Sequence, residues 1–135
     1  MNWKDILGEK TGCRLIFNAP MKDYTTYRTA GAADVLALPE NEEQILKLKT
    51  LCEQENVPFR MIGLGSNILV SDKGLPGVTC CLKNYAGISI RGEELTALAG
   101  TPLDEAASLS VENGLGGLES LSGIPGSCGG AVYMN

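Results

Sequence analysis

A chain of 135 residues and 14.3 kDa, 44% hydrophobic and 20% charged, has the composition of one ordinary globular domain, which excludes a disordered or collagen-like polymer. No apolar run approaches the ~18 residues that span a bilayer, and the acid-containing start from Met1 to Lys10 lacks the layout of a secretory signal, so a cytoplasmic protein is expected. The complete absence of histidine removes Ser-His and Cys-His nucleophilic pairs and His-based zinc catalysis. The net charge is −5, and no Lys or Arg follows Arg91, so neither a nucleic acid nor a membrane is an expected partner.

In chain order, Asn2, Asp5 and the shared face of Trp3, Ile6 and Leu7 predict a short opening helix stopped by Gly8, with Trp3 as its anchor. Lys22 to Gly31 reads as an irregular polar lead-in whose Lys22 and Arg28 are solvated by default. Ala33 to Leu38, closed by Pro39, reads as a strand. Asn41 with Gln44 three residues on makes a capping box, and Ile45, Leu48 and Cys52 recur at helical spacing toward Asn56 and Pro58. Val57 to Ile62 is a second strand running into Gly63-Leu64-Gly65-Ser66-Asn67, which makes a βαβ-like opening. From Ile68 to Gly100 short β-type runs alternate with turns: Ile68 to Val70, Val78 to Leu82, Ile88 to Ile90 and Leu95 to Ala99. A small antiparallel sheet is expected there. Thr101 as N-cap and Pro102 at the first helical position open a further helix, with Leu103, Ala106, Ala107 and Ser110 on one face and Gly114 as its stop. The five cysteines include an adjacent pair, Cys80 and Cys81, and no C-x-x-C. They read as reduced, mostly packing thiols, Cys128 among them, with no metal site.

Glycine is unevenly distributed: 14 of the 17 lie from Gly63 onward. The Gly63 to Asn67 turn is no dinucleotide fingerprint, because Ile68 stands where a third glycine is needed and a β-type run follows. The chain also has no G-K-[ST] of a P-loop. The turn nevertheless leaves backbone N–H groups uncovered, with Ser66 and Asn67 adding polar side chains; a plain strand-to-strand turn is the alternative. A second loop, Gly123-Ile124-Pro125-Gly126-Ser127-Cys128-Gly129-Gly130, precedes a helix expected to start at Ala131 to Met134. Successive N–H groups ahead of a helix favour an anion. Two such loops suit a diphosphate held by backbone amides, whereas glycines that only permit close packing are the other reading.

These loops, with Asn18-Ala19-Pro20-Met21-Lys22-Asp23-Tyr24-Thr25-Thr26-Tyr27-Arg28, the run Gly63 to Gly74, and Gly114-Leu115-Gly116-Gly117-Leu118-Glu119 leading to Met134-Asn135, make the sequence resemble a known family nearly end to end. It is similar to the N-terminal flavin-binding domain of UDP-N-acetylenolpyruvoylglucosamine reductases, within the broader vanillyl-alcohol-oxidase (PCMH) type of FAD enzymes. The resemblance implies an α+β fold of two small subdomains, roughly residues 15–80 and 81–135. It implies FAD contacts at Gly63, Leu64, Gly65, Ser66, Asn67 and Ile68, at Gly100, and at Ile124, Pro125, Gly126, Ser127, Gly129 and Gly130. The family reaction takes a hydride from NADPH through flavin to the enolpyruvyl methylene carbon of a UDP-sugar and protonates its neighbour, giving UDP-N-acetylmuramate for peptidoglycan, hence for cell-wall biogenesis, cell shape and division.

Family members continue past this point into a substrate domain with an arginine, a proton-donating serine and a late glutamate. The expectation is therefore a chain truncated before that domain, with no catalytic residue of its own, inactive alone, and meeting UDP-sugar only with the missing part. Glu119 is expected to order its own turn. A non-catalytic flavin- or nucleotide-binding module is the alternative, and a purely structural α+β module leaves the glycine clustering unexplained.

Overall fold

The computed structural model describes residues 1–28 and 31–134; Thr29 and Ala30 of the lead-in, and Asn135, lie outside the described residues. In chain order the elements are α1 (Trp3–Thr11), β1 (Arg14–Pro20), β2 (Ala32–Leu38), α2 (Glu42–Gln54), β3 (Phe59–Ile62), β4 (Leu75–Cys81), β5 (Ile88–Arg91), β6 (Glu94–Ala97), α3 (Leu103–Glu112) and α4 (Cys128–Met134). Single helical turns cover Met21–Asp23, Leu82–Asn84 and Glu119–Leu121.

A four-stranded sheet in the order β1-β2-β4-β3 forms the centre. β1 runs antiparallel to β2, whereas β4 is parallel to both β2 and β3. The expected strand-helix-strand opening is present, but its two strands do not touch, because β4 lies between them. Val35, Leu36, Ala37 and Leu38 of β2 are all buried, as befits an inner strand covered on both faces. One face packs Val35, Ala37, Val78 and Cys80 against Leu7, Leu48 and Cys52 of α1 and α2. The other carries Leu36, Leu38, Ile62 and Cys81, closed by Met21 and Val70.

The capping box forms as expected. The Gln44 N–H donates to the Asn41 carboxamide at 2.9 Å, while the Gln44 side chain accepts from the Glu40 N–H at 2.8 Å. Four expectations need correction. The opening helix passes through Gly8 and ends at Gly12, whose left-handed φ of 62° terminates it, while the Thr11 hydroxyl binds the Leu7 carbonyl at 2.7 Å. Ile68 to Val70 is not a strand: its alternation reflects loop side chains, Ile68 and Val70, that pack into the second core cluster. The run from Val78 to Cys81 belongs to the four-stranded mixed sheet, and Leu82 to the helical turn after it, so the expected antiparallel sheet shrinks to the β5–β6 hairpin turning at Gly92. Thr101 does not cap α3; its hydroxyl exchanges hydrogen bonds with the N–H and carbonyl of Gly87 at 3.0 and 3.1 Å, and Pro102 takes the cap position. The face of Leu103, Ala106, Ala107 and Ser110 is the buried one.

β1 is absent from the sequence reading. Leu15-Ile16-Phe17 is an apolar triplet without alternation, and Pro20 argues against a strand except at a sheet edge, which is where β1 lies.

The cysteines are free, and burial holds the Cys52 thiol near a pKa of about 11 and Cys80 near about 12. An unfolded chain ionises these thiols from their usual 9.0. Their neutrality therefore supports the fold fully below that pH, and the support is lost as pH rises toward the folded values. The urea midpoint is expected to fall progressively above pH 9, and less steeply in Cys80→Ala; identical slopes would show that Cys80 does not contribute.

Candidate flavin-binding site

The site lies at the carboxyl ends of the parallel strands β3 and β4, whose last residues, Ile62 and Cys81, pair with each other. Ligands in open parallel sheets gather at such strand ends because the loops diverge there. β3 opens directly into Gly63 to Asn67. Gly65 has φ 72°, a region that excludes most side chains, and a Cβ on it would collide with the Tyr24 carbonyl. The Gly65 carbonyl in turn accepts from the Thr26 N–H at 3.0 Å. The lead-in and the turn thus hold each other, and only glycine permits the approach. The Cys81 thiol donates to the Gly63 carbonyl at 3.5 Å, which ties β4 to the same turn.

The two glycine loops, 60 residues apart in sequence, meet in the structure. A Cβ at Gly63 would strike the Ser127 side chain, and Gly126, at φ 117°, faces Ser66. Among the described residues, the N–H groups of Leu64, Gly65, Ser66 and Asn67 donate to no protein acceptor. Four adjacent unpaired donors on a half-buried turn are the groups from which anion-binding nests are built.

The second loop departs from expectation. α4 begins at Cys128 rather than after the loop, and its first amides are already engaged. Cys128 N–H donates to the Thr101 carbonyl at 2.8 Å, Gly129 N–H to the Ala99 carbonyl at 2.8 Å, and Gly130 N–H to the Ser127 hydroxyl at 3.1 Å. Gly123 N–H donates to the Asp104 carboxylate at 2.6 Å and Ile124 N–H to the Leu121 carbonyl at 3.3 Å. Of the expected row, only the amides of Gly126 and Ser127 lack an acceptor among the described residues. Gly129 serves close packing, since a Cβ there would press on Ala99. Gly100 does the same: it is buried, its N–H donates to the Tyr85 carbonyl at 2.9 Å, and a Cβ would run into the Leu82 carbonyl. Ile124 and Pro125 are exposed at the rim, and Ile68 packs into the core cluster below the turn.

A pocket of about 190 Å³ opens beside the first turn, lined by Asp23, Tyr24, Thr25, Thr26, Gly63, Leu64, Cys81 and Lys83. The Lys83 ammonium stands 4.8 Å from the centre of the Tyr24 ring. Lys83 and Cys81 escaped the sequence reading. The available signal was the shortage of bases: Lys83 is the last cation before Arg91, and it lies just past the expected strand Val78 to Leu82. Lys22 and Arg28 are exposed, and Arg28 sits at φ 53°. Cys128 is half-buried with its pKa raised by burial, as fits a packing thiol.

Unpaired turn amides, a facing glycine loop and glycine-dependent contacts at a strand-end crevice are the features of a nucleotide-diphosphate site on an α+β scaffold. Residues 33–135 match the family described as FAD binding domain, and the chain belongs to that family. Its curated relatives carry the name UDP-N-acetylenolpyruvoylglucosamine reductase. The protein from Caldanaerobacter subterraneus subsp. tengcongensis is 39% identical over 132 residues, 98% of this chain and 43% of its own length. That from Clostridium perfringens is 42% identical over 118 residues, 87% of this chain and 39% of its own. The chain thus spans less than half the length of these relatives. Among solved structures, the Thermus caldophilus reductase is 34% identical and superposes with a TM-score of 0.68 over 89% of this chain and 41% of its own. A BBE-like protein of Physcomitrella patens, 21% identical with a TM-score of 0.62 over 83% of this chain and 26% of its own, shares the fold. No helix among the described residues is long and apolar enough to cross a membrane.

Proposed function

We propose that this chain is the flavin-binding part of a reductase that uses NADPH to convert UDP-N-acetylglucosamine enolpyruvate into UDP-N-acetylmuramate, in the cytoplasmic stage of peptidoglycan synthesis that underlies cell shape and division. The observation that carries the reading is the meeting of the two glycine loops at the ends of β3 and β4 in a chain 39% identical to a reductase of that name. The amides of Leu64 to Asn67 receive the diphosphate of FAD, and those of Gly126 and Ser127 close on it from the facing loop. Gly63 and Gly65 let the loops and the lead-in approach within reach of it. Bound flavin supplies the hydride chemistry, and the protein supplies its position. Residues 15–80 and 81–135 act as the two subdomains between which the cofactor lies.

Titration of the chain with FAD, followed by flavin fluorescence, is expected to show saturable but weak binding, because the chain spans only 43% of the length of a relative of that name. An unchanged signal in a chain that is folded by circular dichroism would overturn the site. For the reductase reading, the coding sequence beyond codon 135 is expected to continue into a substrate domain. A stop codon directly after it would favour a flavin carrier that works for a partner.

A further inference from the structure

Backbone amides hold phosphate oxygens by their dipoles but carry no net charge, and a diphosphate brings two negative charges into a site whose nearest loop, from Gly114 to Asn135, contains no base. The structure places one ammonium group on the wall of the pocket beside the free amides. We propose that Lys83, held against the ring of Tyr24, is the cation that engages the flavin diphosphate; this rests on the flavin reading above and assigns a charge-bearing contact to that site.

Three observations carry it. Lys83 lines the same 190 Å³ pocket as Gly63 and Leu64, in the helical turn Leu82–Asn84 that follows the strand pairing with the one that delivers the glycine turn. Its ammonium is oriented by Tyr24, 4.8 Å away, which gives a long, flexible side chain a defined seat. Among the described residues the ion pairs are Lys47 with Glu43 and Lys49 with Glu53, both on α2, so the Lys83 charge is not neutralised by a carboxylate. Arg60 of β3 is committed to the Pro76 carbonyl at 2.8 Å and the Thr79 hydroxyl at 3.2 Å, and Lys22 and Arg28 of the lead-in are exposed and do not line the pocket. Asp23 also lines the pocket, so its polarity is mixed. An anion entering there is steered toward the Lys83 and amide side.

The test compares the wild-type chain with Lys83→Gln and Lys83→Arg, titrated with FAD and with riboflavin, which lacks phosphate. Lys83→Gln is expected to weaken FAD about tenfold and leave riboflavin unchanged, because one charge-assisted contact is lost. Lys83→Arg is expected to retain most of the affinity. Added sodium chloride should weaken FAD binding to the wild type more steeply than to Lys83→Gln, since only the former keeps the ion pair. Equal FAD affinity and equal salt dependence in wild type and Lys83→Gln would overturn the assignment while leaving the flavin reading in place. A parallel fall for FAD and riboflavin would also overturn it, by showing a structural role. A wild-type chain that binds neither ligand overturns both.

Discussion

Gly65→Val is expected to abolish FAD binding by this chain. Two independent effects act at that position. The backbone holds φ 72°, where a β-branched residue costs on the order of 1–2 kcal/mol or more. A Cβ would also collide with the Tyr24 carbonyl, and the neighbouring Thr26 N–H is bonded to Gly65 itself at 3.0 Å, so the lead-in cannot retreat without losing that bond. Relief of the collision moves the turn or the lead-in, and either movement scatters the unpaired amides of Leu64 to Asn67. Gly92→Ala supplies the control. Its φ of 63° imposes comparable backbone strain, but a Cβ there meets nothing, and it lies on the hairpin turn away from the loops. The control should lose a little thermal stability and keep the wild-type FAD affinity. If a folded Gly65→Val protein bound FAD like the wild type, the anion cradle would not be at this turn.

The glycine turns of the candidate site were legible because their signals are local. Gly65 and Gly126 are demanded by positive φ, Gly65 also by the Tyr24 backbone, and Gly63 by the Ser127 side chain packed against it; such demands appear as glycine in the sequence. The capping box at Asn41 and the buried face of α3 were readable for the same reason: both are fixed by spacing within one element. What sequence could not supply was tertiary. The insertion of β4 between β2 and β3 depends on which strand edges meet, and a buried parallel strand gives no alternation to mark it. The amides of Gly129 and Gly130 looked available for a ligand until the carbonyl of Ala99 and the hydroxyl of Ser127 were seen to take them. Lys83 is one lysine among several until the pairing of Ile62 with Cys81 brings it beside Gly63.

The 135-residue chain, saturated with FAD and supplied with NADPH, is expected to form no UDP-N-acetylmuramate from the enolpyruvyl substrate. Completing that reaction requires a positioned acid that protonates carbon and a cation that holds the enolpyruvyl carboxylate. The chain has no histidine, and Glu119 is the sole carboxylic side chain from Gly114 onward. The structure turns Glu119 away from that task. Its carboxylate accepts from the Gly117 N–H at 2.8 Å, and hydrogen bonds from its own and the Gly117 amide lower its pKa, so it is ionised at neutral pH with no proton to give. The Ser127 hydroxyl is buried and caps Gly130, while Tyr133 stands 88% exposed on α4. The last cation of the chain, Arg91, ends β5 on the hairpin. NADPH consumption is an ambiguous readout, since bound flavin can be reduced without onward transfer, so the product itself should be followed by mass spectrometry. Multiple turnovers by the purified chain would mean that a group among these residues is the proton donor and that the chemistry is built into this half of the fold.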